Sequence, residues 1–344
     1  MISRNDEYGG NAIRRMQISI SDRLEQFERY GLDSEFILIE WNPPADKPSL
    51  KDVIKWPDHL KYCTIRIITV PPELHARYGY SDRLNINAVV AINSGVRRAR
   101  GMFVLPGNID LIYSEEFIAF IAAKKLKEDE RYRIDRSDVD KDVMRYDTLQ
   151  QQLEFCRGHV IKVHRRPPLN RREKLPDLHT NASGDFQLMS RRYWHQLRGY
   201  READIVSAYG DGLLSFASYA AGIREVVLEE PLRLYHIDHG GKFTERPQGS
   251  GLTFENRLRF PFLPETCNNL IIRCCRITLT TFGYRLRGSE NGIPTLHYSV
   301  YRQMAQDIVT GRRPYIFNDE DWGLGRETLE EYIINRAEWD KEDE

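Results

Sequence analysis

The residues with the clearest potential for chemistry follow an apolar run that stops at "GNID", residues 107–110. The residues before the stop are typical of a short buried strand, and Ser114, Glu115 and Glu116 are typical of a helix cap and its first turn. Ligands of open α/β sheets bind just outside the carboxyl ends of the strands, so Asp110 is well placed to hold a metal ion. A lone Asp at such a position can also do no more than cap the following turn.

Composition narrows the class of protein that could use this carboxylate. The chain has 344 residues, of which 41% are hydrophobic and 29% charged, as in soluble globular proteins. A net charge of −1 provides no electrostatic footprint for nucleic acid. The five cysteines form no CxxC pair and no zinc spacing, which favours a reducing environment. No run approaches ~20 apolar residues and no secretory signal is present, so we predict a soluble, cytoplasmic protein without a transmembrane segment.

The elements that must position Asp110 alternate along the chain. Apolar residues at helical spacing predict helices, and apolar runs closed by Asn or Pro predict strands. The predicted helices cover residues 9–30, 84–100, 115–126 and 210–222, and the predicted strands cover 35–41, 64–70, the run up to Asn108, 131–135 and two segments within 224–239. Alternation of this kind predicts an α/β fold with a mostly parallel sheet flanked by helices.

The domain organisation is predicted from where this alternation stops. Residues 1–250 are expected to form one α/β domain, and residues 251–344 a partly helical C-terminal extension that ends in an acidic helix. Residues 137–177 are polar and poorly periodic, which indicates a long irregular excursion. The chain opens almost directly with a loop, where a parallel domain normally has a core strand. Either residues 1–3 are a stub of that strand, or the first core strand is truncated.

Four segments, taken in order, resemble the GT-A glycosyltransferases, in particular the family-2-like inverting group. These segments are "SRNDEYGGN" (3–11), "AINSGVRRARGMFVLPGNID" (91–110), "GDFQLMSRRYWHQLRGY" (184–200) and "YGDGLLSFASYAAGIREVVLEEPLRLYHIDH" (209–239). The resemblance covers roughly residues 1–240. It implies a GT-A, Rossmann-like fold that transfers a sugar from a UDP- or GDP-sugar donor to a hydroxyl of a carbohydrate or other acceptor.

The resemblance also implies a donor and metal site. The family's acidic Asp-x-Asp motif is here Asn108-Ile109-Asp110, with a neutral amide in place of the first carboxylate. One carboxylate together with diphosphate oxygens can still hold Mn²⁺ or Mg²⁺. A late histidine, His236 or His239, is implied to complete the metal site. The donor-binding residues implied by the match are Arg4, Asp6, Asn93, Arg97, Asn108 and Asp110.

On the acceptor side the match assigns Asp211 as the catalytic base, which removes the proton of the attacking hydroxyl. Gly184 and Asp185 match the segment that passes beneath the donor sugar, and Trp194 is a candidate acceptor platform. Plainer interpretations remain for several of these residues. Asp211 and Asp6 could be helix caps, and Trp194 could be a core residue.

Two other functions are consistent with the same fold class. Sugar nucleotidyltransferases carry a Gly-rich basic signature near the N-terminus, and "RNDEYGGN" lacks it. A sugar-nucleotide-binding protein that has lost catalysis is favoured by the Asn in the metal motif. Asp211 and the paired histidines speak against that alternative.

Overall fold

A computed structural model of the chain describes residues 1–167, 175–203, 209–239 and 298–340, together with scattered residues between 263 and 296. The predicted α/β class is confirmed. The helices are α1 (Ala12–Tyr30), α2 (Leu50–Val53), α3 (Pro72–His75), α4 (Ala88–Arg98), α5 (Glu115–Ala122), α6 (Leu149–Gly158), α7 (Arg191–Leu197), α8 (Gly210–Ala220) and α9 (Tyr298–Val309), with 3-10 turns at Lys141–Arg145 and Glu338–Asp340. None of the helices in the described ranges has both the length and the apolar composition needed to cross a lipid bilayer.

The strands form three four-stranded sheets and one short hairpin within the described residues. They are β1 (Ile2–Ser3), β2 (Ser34–Trp41), β3 (Cys63–Val70), β4 (Phe103–Val104), β5 (Leu111–Tyr113), β6 (Glu130–Ile134), β7 (Arg136–Val139), β8 (Val160–His164), β9 (Leu188–Ser190), β10 (Arg224–Leu228), β11 (Leu234–Ile237), β12 (Ser289–Glu290), β13 (Ile293–Pro294) and β14 (Glu330–Asn335). The sheet orders are β1-β2-β3-β14, β10-β6-β9-β4 and β5-β11-β7-β8, and β12 pairs with β13.

The first sheet contains the predicted parallel strands. β1 and β3 both pair parallel with β2, so the stub at residues 1–3 is part of the sheet. One face of β2 packs against α1, with Leu38 close to Met16 and Ile20. The other face packs against α4, with Ile39 close to Val90. Helices on both faces bury this sheet, which explains why its strands read as nearly continuous apolar runs.

The strand predicted to run up to Asn108 differs from expectation. β4 contains only Phe103 and Val104, and it pairs antiparallel with β9 in the second sheet. Pro106 follows two residues later, and a proline has no N–H to donate to a ladder. The backbone therefore leaves the ladder early, and Asn108 and Asp110 lie in the irregular connection between β4 and β5.

The polar excursion predicted over 137–177 contains a regular hairpin. β7 pairs parallel with β11 and antiparallel with β8, and α6 lies between β7 and β8 in the chain. The polar residues of this hairpin, such as Asp138 and His164, contact one another at the candidate site. These charged contacts account for the polar residues of the two strands, while Val139, Val143 and Leu149 of the same segment lie in an apolar cluster. The mixture obscures the apolar alternation by which strands are recognised.

The C-terminal residues also differ from expectation, because they contribute a strand where an acidic helix was predicted. β14 pairs antiparallel with β3 and forms the edge of the first sheet. Glu331 on β14 contacts Arg66 on β3 at 2.6 Å, so the acidic residues are paired across strands. α9 packs against α8 through an apolar cluster that includes Tyr301 and Phe216.

Asp22 on α1 is an ionisable group buried away from the candidate site. It is 3% exposed, and its Oδ2 has no hydrogen-bond partner in the described part of the chain. Burial, reinforced by the charge of Glu25, raises its pKa from 3.8 to about 8. Below pH 4 the folded and unfolded states both hold the proton. Between about pH 4 and pH 8 only the folded state keeps it, so stability falls as the pH rises through this range.

Asp22→Asn is therefore expected to stabilise the protein, by about 1–3 kcal/mol near neutral pH and by little at pH 4. Urea unfolding at pH 4, 6 and 8 measures the difference between variant and parent. Asp46→Asn, at an exposed position, is the matched control and should shift stability little at any pH. A gain from Asp22→Asn that is the same at pH 4 and pH 8 would contradict the raised pKa.

Candidate metal centre

Asp110, His236 and His239 converge as predicted. One ligand atom from each lies within 4.8 Å of the others. Nε2 of His239 is 3.0 Å from Oδ2 of Asp110, and Nε2 of His236 is 3.8 Å from Oδ1 of the same carboxylate. A carboxylate and two imidazoles form a ligand set suited to a divalent transition metal ion.

Helix α1 holds the segment that carries Asp110. The Ser19 hydroxyl donates to the carbonyl of Leu111 at 2.7 Å, and the Gln26 amide donates to the carbonyl of Tyr113 at 3.0 Å. The N–H of Ile237 donates to the carbonyl of Asp110 at 2.9 Å, which joins this segment to the strand that carries His236. The polar residues of α1 thus fix both the carboxylate and one histidine.

The Asp110 carboxylate has one paired oxygen and one open oxygen. Oδ2 accepts a 2.8 Å hydrogen bond from the fully buried guanidinium of Arg15, which also donates to the carbonyls of Gly10 and Tyr8. Oδ1 is buried and accepts no hydrogen bond from any described residue. Burial alone would raise the pKa of Asp110, but contact with His239 and the charges of His236 and Arg15 lower it. An ionised carboxylate with one free lone-pair oxygen fits a cation at this position.

A second carboxylate, Asp138, lies behind His236 and was missed by sequence reasoning. In the parallel β7–β11 ladder Asp138 is directly opposite His236. Its Oδ1 is 3.1 Å from Nδ1 of His236, and its Oδ2 is 2.7 Å from Nε2 of His164. Contact through Nδ1 leaves Nε2 of His236 to face Asp110. Metal-binding histidines commonly have a carboxylate beside their second nitrogen, and here the two groups are in close contact without the geometry of a hydrogen bond.

Electrostatic coupling within this group is strong. Burial would raise the pKa of Asp138, but the contacts from His236 and His164 and the charge of Arg136 hold it well below the ordinary range. Burial would lower the pKa of His236, but Asp138 and Asp110 raise it instead. The one signal in the sequence that could have identified Asp138 is the polar alternation of Arg136 and Asp138 after a predicted strand.

If Asp138 positions His236, Asp138→Asn is expected to weaken Mn²⁺ binding by about 10- to 100-fold without unfolding the protein. Titration calorimetry or the electron paramagnetic resonance signal of free Mn²⁺ measures the affinity. Asp140→Asn is the matched control on the same hairpin, because Asp140 accepts from the N–H of Asp142 and an amide oxygen can do the same. Equal Mn²⁺ affinities in the two variants would rule out the positioning role.

Asn108 and Asp185 are also brought together. The Asn108 amide donates to Oδ1 of Asp185 at 2.5 Å, and Arg136 donates to Oδ2 at 2.7 Å. Arg136 is also 3.0 Å from Oδ1 of Asp138. An Asp at position 108 would place a like charge against Asp185, whereas the amide provides a hydrogen bond donor. This contact gives a physical reason for an Asn in the motif.

Asp211 lies in the first turn of α8, as predicted. The Ser183 hydroxyl donates to its Oδ2 at 2.8 Å, and a Cβ at Gly184 would lie 3.4 Å from that oxygen. The position of Asp211 at a helix N-terminus does not keep its pKa low. Burial raises the pKa of Asp211, and the hydrogen bonds from Ser183 and Gly212 offset this only in part. A carboxylate with a raised pKa is a stronger base than an ordinary one.

The loop of residues 4–10 reaches the cluster from the end of β1. Arg4 Nε is 3.5 Å from Asp6 Oδ2, and Oδ1 of Asp6 accepts from the N–H of Tyr8 at 3.1 Å. Asp6 therefore stabilises a turn and does not cap α1, whose N-cap is Asn11. The Tyr8 ring lies edge-on to His239 at a centroid distance of 5.6 Å.

Gly9 allows this loop to approach the cluster closely. A Cβ at Gly9 would lie 2.6 Å from Nδ1 of His239 and 2.7 Å from NH2 of Arg15. Gly10 provides an internal comparison. Its φ of +74° is close to the +69° of Gly9, but a Cβ there would meet nothing within 4 Å.

Gly9→Ala is expected to displace His239 or Arg15 and to weaken Mn²⁺ binding at least about tenfold. Gly10→Ala carries the same cost for an alanine at positive φ without the steric clash, and should leave the affinity within about twofold of the parent. The Mn²⁺ affinities of the two variants are compared by calorimetry at a temperature at which melting curves show both to be folded. Equal losses of Mn²⁺ affinity would show that backbone strain, not contact with His239, is responsible.

Three predicted site residues do not join this group. The fully buried Asn93 donates to the carbonyl of Tyr200 and to Glu202, each at 2.8 Å. Arg97 donates to the carbonyls of Glu320 and Trp322. Trp194 is fully buried and donates to the carbonyl of Val104 at 3.0 Å, so its ring has no face open to a sugar. Both polar side chains, on α4, bond instead to the segments that contain Tyr200 and Trp322.

Comparison with known proteins identifies no family for this chain. No protein-family model matches the sequence, and no curated protein matches it either. Among solved structures, the chain is similar to GalNAc-T7 crystallised with UDP, GalNAc and Mn²⁺, at 14% sequence identity and a TM-score of 0.42. The match covers 80% of this chain and 48% of that one, so this chain spans about half the length of the protein it matches. A TM-score of this size does not establish a common fold.

Proposed function

We propose that this protein is a metal-assisted glycosyltransferase of the GT-A type that uses a nucleotide-diphosphate sugar. The observation that carries the proposal is the cluster of Asp110, His236 and His239, with the open oxygen of Asp110 facing it. A further carboxylate, Asp211, is electrostatically linked to this cluster, because the charge of Asp185 raises the pKa of both Asp211 and His236. Sugar transfer from a nucleotide needs both a cation site for the diphosphate and a base for the acceptor.

In this proposal Asp110, His236 and His239 hold Mn²⁺ or Mg²⁺. The ion would neutralise charge on the departing diphosphate. Arg15 and Asp138 keep the carboxylate and one imidazole in position. Arg4 and Asp6, at the end of β1, are proposed to bind the nucleotide.

Asp211 is proposed to accept the proton of the acceptor hydroxyl while the oxygen of that hydroxyl bonds to the anomeric carbon. The bond from that carbon to the nucleotide diphosphate breaks on the opposite side of the ring, so the configuration inverts. Asp185 is proposed to bind sugar hydroxyls, because Asn108 and Arg136 already orient its carboxylate. The Asp185 side chain is 9% exposed. Gly184 leaves space beside the Asp211 carboxylate.

Thermal-shift measurements with a panel of UDP- and GDP-sugars, with and without Mn²⁺, test the proposal. We expect one donor to raise the melting temperature more with Mn²⁺ than without, because a ligand that binds only the folded state stabilises it by mass action. The bound donor should also be hydrolysed slowly, releasing the nucleoside diphosphate. Binding without hydrolysis or transfer to any acceptor would favour a non-catalytic binding protein. Release of pyrophosphate from a nucleoside triphosphate and a sugar phosphate would favour a nucleotidyltransferase.

A further inference from the structure

A cavity of about 390 Å³ is lined by residues that do not belong to the candidate metal centre. It is lined by Arg97, Arg191, Arg192, His195, Ser190 and Glu128, and by Met102, which immediately precedes β4. Asn108 and Asp110 come after β4 and do not line the cavity. The volume is within the range of roughly 300–1,000 Å³ typical of small-molecule sites.

The charge around this cavity is uncompensated. Arg97, Arg191 and Arg192 form no ion pair with any carboxylate in the described ranges, although many other arginines of the chain do. Arg191 and Arg192 are exposed, and Glu128 is the one acid among the lining residues. Burial, together with the charges of Arg191 and Arg97, lowers the pKa of His195, consistent with a positive potential in the cavity.

A hydroxyl in the cavity also lacks a partner. Ser190 is 1% exposed, and its Oγ makes no hydrogen bond to any residue in the described part of the chain. A buried hydroxyl without a partner is costly unless a ligand or water completes its bonding. Its location in the wall of a cavity with three guanidiniums points to an acceptor-rich anion as that ligand.

We propose that this cavity binds a phosphate-bearing ligand, at a site separate from the candidate metal centre. Guanidinium groups bind phosphate oxygens through paired, charge-assisted hydrogen bonds, and the Ser190 hydroxyl adds one donor. Such a phosphate could belong to a free small molecule or to a lipid headgroup. Met102, with 64% of its surface exposed at the rim, would contact the acyl region in the second case.

The test uses inorganic pyrophosphate as the free probe, titrated by calorimetry in buffer with a chelator so that metal-dependent binding elsewhere is suppressed. We expect saturable binding that weakens with added NaCl and falls at least about tenfold in the double variant Arg191→Gln/Arg192→Gln. Ser190→Ala should weaken binding less. The control Arg145→Gln/Arg157→Gln removes two exposed arginines that do not line the cavity and should bind like the parent.

A parallel experiment measures sedimentation with phosphatidylcholine vesicles, with and without phosphatidic acid. Arginine-dependent binding to the phosphatidic acid vesicles alone supports the site with a lipid headgroup as its ligand. Absence of binding to either probe overturns the proposal. Binding that is unaffected by Arg191→Gln/Arg192→Gln, or that is lost in His239→Gln, also overturns it, because the anion would then occupy another site.

Discussion

Asp110→Asn is expected to weaken Mn²⁺ binding by at least about 100-fold and to lower sugar transfer by at least about 1,000-fold. The loss of Mn²⁺ affinity should exceed the loss caused by removing a residue that only supports a metal ligand, because Asp110 is itself a proposed ligand. The loss of transfer rate corresponds to the several kcal/mol by which a cation stabilises the leaving group. The amide is neutral, and its NH₂ group cannot coordinate a cation. Calorimetry measures the first effect, and a transfer assay with a working acceptor measures the second.

Asp110→Asn also leaves Arg15 buried opposite a neutral group, which destabilises the fold. His239→Gln is therefore tested beside it, because it removes a ligand of the cluster and leaves the Arg15–Asp110 pair intact. His159→Gln replaces an exposed histidine on another surface and is the control. If Asp110→Asn and His239→Gln both bind Mn²⁺ like the parent, the cluster is not a metal site.

Asp211→Asn is expected to keep the fold and donor binding and to lower transfer by at least about 100-fold, the usual effect of losing a general base. An amide oxygen can still accept from the Ser183 hydroxyl, so the start of α8 should be preserved. Because burial raises the pKa of Asp211, the neutral variant should be no less stable than the parent. The reaction rate of the parent should fall on the acid side of an apparent pKa above 3.8.

The acid limb of that pH profile separates a base from a helix cap. It should disappear in Asp211→Asn together with the rate, whereas a cap would affect stability and leave the profile unchanged. Glu116→Gln removes a carboxylate from the first turn of another helix and serves as the control. Near-normal turnover of Asp211→Asn would exclude this residue from the chemistry.

The proximity of some residues in the cluster could be anticipated from the sequence, and that of others could not. Asp110, His236 and His239 could be proposed because their order along the chain resembles a family motif, and that order can be read without knowing the fold. Asp138 could not, because its role depends on a register that pairs it with a strand almost 100 residues later. Asn93 and Arg97 also matched a motif, but a motif does not show where a side chain points. Both side chains donate to backbone carbonyls of later segments of the chain, those of Tyr200 and Glu320.

β2, β3 and the flanking helices α1 and α4 were predictable because burial on both faces of their sheet produces long apolar runs. The ends of the helices and strands were less predictable, because each end depends on single residues. α5 ends at Ala122, and the positive φ of Lys124 marks the end of the helix where the apolar pattern continues to Leu126. β14 was missed because Glu330 and Glu331 look like the surface of a helix. Arg66, which pairs with Glu331 across the sheet, lies 265 residues earlier.

That pairing has a consequence for how the chain folds during synthesis. The edge of β3 emerges from the ribosome with its backbone donors and acceptors exposed, and its partner strand follows only about 265 residues later. An unpaired edge is a template for association with other chains. Long sequence separation also makes this contact slow to form. The nascent protein thus passes through a long interval in which its first sheet is open on one side, and the synthesis of β14 ends that interval.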